Sequence, residues 1–448
     1  GCSTMSSKTE ATVSRRVASP GRARWWILGW LLAAMMINYM DRSSLSIAAP
    51  HMIDELGLTA ADIGLLGTAF SLTYAFFQLP GGWLTDRLGA KPVYVMALGL
   101  WSIATALMAF GHHMWHFMVS RVLLGVFEAP VSPTSAKIVA EWFPPRERGA
   151  AVGVYDSGSK WGPAVAPPIL TFLIMGFGWR AMFVILGVLG VIVAVGFWVF
   201  YRSPEHDRRV SAAELEHIRA REEDDNAPTG HIPWLKLFTK PQTWAMVLGF
   251  VAVVWTLNIF VTFLPLMLND IYSVADAALG WYTAIPFAVG GIGGILGGWF
   301  TTKYSRMRDQ LAPLVCKRQI AAIYGGALAV CSVLVGVTTG HFVLQLSAMS
   351  LALFFCGALS AVGWSIPADV VTGSRVASLG SIQNFGGYFA GSLSPWLTGV
   401  LVTTTDSYLV PFLLGAVVAV IAGIAYLLLL RAPIRVTSGP TETGNPTS

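Results

Sequence analysis

Long apolar runs recur along the whole chain, and short polar stretches separate them. A helix needs about 20 apolar residues to cross the hydrocarbon core of a bilayer. The pattern predicts six such spans in the first half, at residues 25–48, 63–84, 92–110, 115–140, 149–175 and 180–200. It predicts six more in the second half, at residues 243–268, 279–301, 314–337, 342–366, 376–402 and 409–430. We therefore expect an all-α polytopic membrane protein with twelve transmembrane helices.

The two halves of the chain echo each other. The run Gly-Gly-Trp-Leu-Thr-Asp-Arg at 81–87 follows span two, and Gly-Gly-Trp-Phe-Thr-Thr-Lys at 297–303 ends span eight. A second echo relates three residues of span five to three of span eleven, namely Arg148, Gly153 and Pro168 to Arg375, Gly380 and Pro395. Two six-helix halves in parallel repeat place a binding site near the midplane between them.

The repeat also divides the chain into regions. We expect an N-terminal tail (1–24), an N-terminal six-helix half (25–201), a central loop (202–240), a C-terminal six-helix half (241–431) and a C-terminal tail (432–448). Within the central loop, Ser211 and Glu214 have the spacing of a capping box, which predicts a short surface helix. A disordered linker is the alternative for this loop.

Charge and composition fix the orientation and exclude several classes of protein. Apolar residues make up 54% of the chain and charged residues 12%, whereas soluble domains have about 25% charged residues. Outside the spans, Lys and Arg lie on one side only, apart from Arg180, so both termini and the central loop are expected in the cytoplasm. The formal charge of +5 follows this membrane topology and does not indicate nucleic-acid binding. The cysteines do not have metal-ligand spacing, and no cleavable signal peptide is expected. His113 and His116 lie three residues apart, a spacing that can bind a metal, but we expect them to form a polar edge at the membrane interface.

Span one carries an acid and a base in its interior, within the run Asn38-Tyr39-Met40-Asp41-Arg42. Each charge at the centre of a spanning helix costs about 2.5–3.5 kcal/mol on insertion scales. Adjacent residues on a helix point about 100° apart, so Asp41 and Arg42 should find different partners. Arg121 and Glu128 lie seven residues apart on span four and share one face. We expect Asp41 to pair with Arg121, which leaves Arg42 and Glu128 facing a cavity.

These motifs resemble those of the major facilitator superfamily. Gly82, Asp86, Arg87, Gly89 and Lys91 match its signature loop after span two. The segments that resemble the anion:cation symporter family within it are 38–42, Arg121 with Glu128-Ala-Pro, Ser157-Gly158, and Ala166-Pro167-Pro168. This family includes galactonate, glucarate, hexuronate, tartrate and phthalate permeases, together with sialic acid and vesicular glutamate carriers. The resemblance covers nearly the whole chain and leaves the substrate open.

The resemblance implies roles for the charged residues. Asp41 and Glu128 would be the proton-coupling sites, Arg42 would hold the substrate carboxylate, and Arg121 would act in gating or coupling. The alternative is a buried ion-pair network that only positions helices. In the signature loop, Asp86, Arg87 and Lys91 would lock one conformational state, or simply form a solvated loop.

Lys160 lies near the middle of span five, where the resemblance implies a small or neutral residue in many members of the family. Asp156 stands four residues earlier, at a spacing that supports an ion pair. Two interpretations stay open. Lys160 is either neutralised by Asp156 or forms a second anion clamp, which would favour a diacid or sulfonate substrate.

Polar and aromatic residues near the expected cavity complete the candidate site. Tyr39 and Tyr74 are placed to bond substrate hydroxyls or simply to pack. The second half has no charge in the middle of a span and contributes polar or aromatic groups, namely Trp255, Asn258, Trp364, Asn384 and Tyr388. Recognition by charge would then belong to the first half, and recognition of shape or hydroxyls to the second.

We therefore predict a secondary transporter that carries a small organic anion, a sugar acid or dicarboxylate, with protons by alternating access. A sodium-coupled or exchange carrier of an organic or aromatic acid is the alternative, and a membrane-embedded enzyme is the third reading. We expect no cofactor beyond the coupling protons, no metal and no nucleic-acid partner. The expected setting is a monomer in the lipid bilayer of the plasma (inner) membrane.

Overall fold

The computed structural model describes residues 22–143, 151, 154–155, 157–219, 234–371 and 375–434. Within these ranges every regular element is a helix, so the predicted all-α class is confirmed. Three residues of the sequence interpretation lie outside the described residues, namely Arg148, Gly153 and Asp156.

The helices fall into two groups around a short central segment. The first half comprises α1 (Ala23–Leu56), α2 (Ala60–Leu88), α3 (Ala90–Leu107), α4 (Met114–Glu128), α5 (Val131–Trp142), α6 (Gly158–Phe177) and α7 (Trp179–Phe200). The central segment holds α8 (Ala212–Arg219) and α9 (Trp234–Leu237). The second half comprises α10 (Pro241–Tyr272), α11 (Asp276–Met307), α12 (Pro313–Val337), α13 (Phe342–Ser365), α14 (Pro367–Val370), α15 (Arg375–Gly391), α16 (Leu393–Thr405) and α17 (Leu409–Leu429).

The described helices correspond to the twelve predicted spans when α4 is taken together with α5 and α15 together with α16. Among the described residues, nine segments are long and apolar enough to cross a membrane by length and composition alone. Spans one, five and eleven fall below that threshold. Polar residues lower the mean hydropathy of α1, Lys160 and three prolines do so in α6, and a break at Ser392 shortens α15 and α16.

Tight connections hold neighbouring helices antiparallel. At the start of α2, the Thr59 hydroxyl accepts a hydrogen bond from the Asp62 amide, and the Asp62 carboxylate accepts one from the Thr59 amide at 2.8 Å. Gly89 alone connects α2 to α3 with φ +88°, a conformation that L side chains rarely adopt. The glycine of the signature loop is therefore needed for the turn itself.

The halves are in contact at the membrane side where α1 ends at Leu56, which we call the closed side. Here α2 packs against α16, and a Cβ atom at Gly64 would overlap the Pro395 carbonyl. The Thr68 hydroxyl donates to the Ser392 carbonyl at 2.6 Å. His51 Nε2 lies 2.9 Å from an Asp276 carboxylate oxygen across the same boundary. These contacts join α1 and α2 of the first half directly to α11 and α16 of the second.

The first part of the central loop is helical and docks on the first half. The Glu214 amide donates to Ser211 Oγ at 3.1 Å, as the capping pattern predicts. The Glu214 carboxylate is fully buried and lies 3.3 Å from the Arg24 guanidinium at the start of α1. The helix interpretation therefore holds for Ala212–Arg219, and residues 220–233 lie outside the described residues.

Candidate functional site

The polar residues of α1 lie where this helix packs against both halves. Asn38, Asp41 and Arg42 are 2%, 1% and 8% exposed, so the two charges lie well inside the protein. Helix α1 contacts α6 in its own half and α10 in the other. A charge that is kept in the interior of a spanning helix normally faces a partner or a water-filled cavity.

Arg42 pairs with Glu128. Its Nε donates to a Glu128 carboxylate oxygen at 3.0 Å, and Glu128 is completely buried. The other oxygen of Glu128 has no hydrogen-bond partner. Glu128 is the last residue of α4, and Pro130, which lacks an amide proton, interrupts the helix just after it. Glu128 therefore lies at the junction between α4 and α5, with one carboxylate oxygen unpartnered.

Aromatic rings surround the guanidinium of Arg42. Its Cζ atom lies 4.6 Å from the centroid of Tyr39, 5.1 Å from Phe70 and 4.5 Å from Tyr74. The Tyr388 ring of the second half lies 5.2 Å from Tyr74. A cation over aromatic faces gains about 0.5–2 kcal/mol, more when water is excluded. The rings therefore hold the cation in place without neutralising it.

The expected ion pair between Asp41 and Arg121 is not formed. Both carboxylate oxygens of Asp41 are buried and have no hydrogen-bond partner among the described residues. The Trp101 indole and the Thr105 hydroxyl of α3 are polar neighbours of this carboxylate, and Arg121 acts on it only electrostatically. The prediction was wrong because the rotation between adjacent residues turns Asp41 toward α3, whereas Arg42 takes the acid of α4.

Arg42 and Tyr39 line two cavities. The first, which we call the Arg121 cavity, encloses ≈ 460 Å³ including its open mouth; it is lined by Tyr39, Arg42, Leu45, Ser46, Gly67, Phe70, Ser71, Arg121, Leu257, Asn258, Val261, Thr262 and Tyr388. The second, the Glu128 cavity, encloses ≈ 270 Å³, again including its open mouth. It is lined by Met35, Asn38, Tyr39, Arg42, Tyr74, Glu128, Val131 and Ser132. Arg42 can therefore face a ligand on one side and its carboxylate partner on the other.

Three other predicted site residues have contacts outside the two cavity linings. The Asn384 amide donates to Gln78 Oε1 at 2.9 Å and so joins the two halves. Trp364 is 49% exposed, and its ring lies 5.2 Å from Phe250. Lys160 Nζ donates to Ser159 Oγ at 3.3 Å, and the lysine stem packs against two glycines of α11, Gly291 and Gly294. Neither cavity lining, within the described part of the chain, includes Asn384, Trp364 or Lys160.

The signature loop lies at the far end of α2 from the closed side. The Arg87 guanidinium lies 5.3 Å from the Trp83 ring, and Lys91 Nζ lies 4.8 Å from Trp198. The Asp86 side chain is outside the described residues. Arg87 and Lys91 therefore contact rings of their own half, and the proposed lock stays a prediction.

Three residues with small hydroxyl groups, which no sequence motif singles out, also line the Arg121 cavity, namely Ser46, Ser71 and Thr262. Serines on a spanning helix commonly bond to the carbonyl one turn back, as Ser43 does to Tyr39 at 2.9 Å. The sequence alone does not show whether such a hydroxyl bonds within its own helix or faces a cavity.

Comparisons with known proteins agree with this architecture. Residues 31–328 match the Major Facilitator Superfamily. The chain is 33% identical over 405 residues to a probable L-galactonate transporter of Escherichia coli, covering 90% of this chain and 88% of the relative. It is 30% identical over 423 residues to a probable sulfoacetate transporter of Cupriavidus necator, covering 94% and 96%.

A solved structure shares the fold. A bacterial homologue of the human lysosomal transporter Spinster superposes with a TM-score of 0.72 at 19% identity, covering 91% of this chain and 97% of the other. At this identity the likeness concerns the fold alone.

Proposed function

This chain belongs to the major facilitator superfamily of membrane transporters and is not an enzyme, and we propose that it carries a small organic anion together with protons. The anion is of the sugar-acid or dicarboxylate class. Transport occurs by alternating access, in which the two halves rock around the cavities at Arg42.

The pair between Arg42 and Glu128 carries this proposal. Arg42 lines both cavities and is held at 3.0 Å from a buried carboxylate whose second oxygen is unpartnered. A substrate carboxylate that binds Arg42 competes with Glu128 for the same positive charge. Glu128, left without its cation in a buried site, then favours the protonated form. Anion binding and proton binding would thus be coupled in both directions, as linkage requires.

The names of the relatives support an anionic substrate. L-galactonate carries a carboxylate, and sulfoacetate carries a carboxylate and a sulfonate. Arginine binds a planar carboxylate with two parallel hydrogen bonds, which suits the side of the Arg42 guanidinium that lines the Arg121 cavity. Tyr39, Tyr74 and Asn258 line the cavities and would orient the hydroxyl groups of a sugar acid.

The orientation follows from the distribution of Lys and Arg. With both termini in the cytoplasm of a plasma membrane, the closed side faces outward. The described hydrogen bonds between the halves lie on that side or, as for Gln78 and Asn384, at mid-depth. The cavities would therefore release substrate toward the cytoplasm. Protons would be the only coupling ion, and the transporter would function as a monomer.

Proton movement into proteoliposomes that hold a pH-sensitive dye tests the proposal. Sugar acids, dicarboxylates and aromatic acids are added in turn to vesicles with the wild-type protein or with Glu128→Gln. We expect acidification with one class of anion, and none with the variant. Binding of an anion without proton movement in the wild type would overturn proton coupling and leave sodium coupling or exchange.

A further inference from the structure

We propose that the Arg121 cavity selects a dianion, with one anionic group on Arg42 and the second on Arg121. This inference rests on the proposed function and specifies its substrate class. It gives Arg121 a direct part in binding, in addition to the gating or coupling role that the family resemblance implies.

The charges of the cavity lining are all positive. Arg42 and Arg121 both line the Arg121 cavity, and its lining contains no Asp or Glu. Glu128, the carboxylate that contacts Arg42, lines the other cavity. A ligand in the Arg121 cavity therefore meets two cations and no carboxylate.

Arg121 is placed to donate to such a ligand. Its side chain is 3% exposed, and its Nε has no hydrogen-bond partner. A buried guanidinium with an unmade hydrogen bond costs more than one that is fully satisfied. A second anionic group in the cavity would complete the missing contact.

The spacing of the two arginines suits a short diacid. Their Cζ atoms lie 5.1 Å and 5.3 Å from the centroid of the Phe70 ring, so they are no farther apart than the sum of these distances. The same cavity is also lined by the hydroxyl residues Ser46 and Ser71 and, from the second half, by Asn258 and Thr262. A small hydroxylated chain with an acid at each end can therefore contact both cations.

The charge balance agrees with two protons for each dianion. The two arginines and the two carboxylates, Asp41 and Glu128, have a formal charge sum of zero. Protonation of both carboxylates would leave two positive charges, which a dianion neutralises. Uptake of a dianion with two protons would move no net charge across the membrane.

Lys160 is less well placed than Arg121 to bind the second anionic group of the substrate. Its stem packs against Gly291 and Gly294 at the boundary between α6 and α11, and it lines neither described cavity. The structure thus assigns the second anion clamp to Arg121.

Galactarate and galactonate make a matched pair of probes, because they differ only at C6, which is a carboxylate in one and a hydroxymethyl group in the other. Binding to the detergent-purified protein is measured by calorimetry, and uptake by proteoliposomes. We expect the wild type to prefer galactarate by at least about tenfold, the value of one charge-assisted hydrogen bond. Arg121→Gln should remove most of this preference, and Arg121→Lys should restore part of it.

Arg431→Gln, which removes an exposed arginine beyond α17, is the matched control and should keep the preference. Equal affinity of the wild type for both probes would overturn the inference, as would an equal loss of both in Arg121→Gln. A galactarate preference without proton movement would support it while refuting proton coupling. Binding of neither probe would refute the inference and the proposed sugar-acid class together.

Discussion

The two halves of this transporter share one architecture but contribute different chemistry to the site. Within the described residues, every buried charged side chain lies in the first half or the central loop, namely Arg24, Asp41, Arg42, Arg121, Glu128, Asp207 and Glu214. The second half supplies Leu257, Asn258, Val261, Thr262 and Tyr388 to the same cavity. The binding energy for an anion should therefore come from the first half, and discrimination among anions of equal charge from the second.

This difference has a physical reason. A buried cation is tolerated when a carboxylate or aromatic ring lies nearby, and α1, α2 and α4 supply both kinds of group around Arg42. A half without buried charges needs no such compensation, so substitutions among its cavity-lining residues should cost little stability. The following predictions test this division, beginning with the largest expected effect.

Arg42→Gln should abolish transport. It removes the proposed substrate cation and leaves Glu128 buried without a partner, which costs about 3–5 kcal/mol for a broken buried pair. We expect anion affinity to fall by at least about a hundredfold in calorimetry.

The double variant Arg42→Gln with Glu128→Gln separates binding from stability. It should recover most of the lost thermal stability but none of the anion affinity. Recovery of affinity in the double variant would show that Arg42 only neutralises Glu128.

Glu128→Gln should stop proton-driven accumulation while substrate exchange across the membrane continues. The amide keeps the shape of the side chain but cannot exchange a proton. Radiolabelled substrate is measured in proteoliposomes with a pH gradient, and then with equal substrate on both sides.

Glu55→Gln is the matched control, because this carboxylate lies on the closed side and accepts hydrogen bonds from Trp179 and Arg180. It should leave accumulation intact. Accumulation by Glu128→Gln at the wild-type level would remove Glu128 from proton coupling.

The sequence was sufficient for the fold and for part of the site. The apolar runs predict the spans, because backbone polar groups in lipid must be satisfied within the crossing segment, which favours helices. Charge within a span pointed to Arg42 and Glu128, and both line a cavity. The pairing of Asp41 was mispredicted, because partner choice depends on how each helix is rotated against its neighbours. The contact between Asn384 and Gln78 joins residues 306 positions apart, which no local pattern reveals.

Lys160→Gln should slow the transport of monoacids and diacids by the same factor. The lysine stem packs between the halves. Its loss should therefore change the free-energy barrier to their relative movement by about 0.5–2 kcal/mol, which is a severalfold change in transport rate. Uptake of galactarate and galactonate is compared in the same vesicles. A selective loss of galactarate would instead make Lys160 the second anion clamp.

Asn258→Ala tests the second half and should have the smallest effect. The Asn258 amide lines the Arg121 cavity and donates to the Gly391 carbonyl at 3.3 Å, so it can exchange that bond for a substrate hydroxyl. One neutral hydrogen bond is worth about 1 kcal/mol, which predicts a KM about fivefold higher for hydroxylated anions. Anions of equal charge without hydroxyls should be unaffected. Asn269→Ala, on the same helix near the closed side, should change the KM of neither class of anion, because the hydrogen bond described for its amide goes to the Val274 carbonyl just after α10. An equal rise in KM for hydroxylated and plain anions would mean that Asn258 shapes the cavity without recognising hydroxyls.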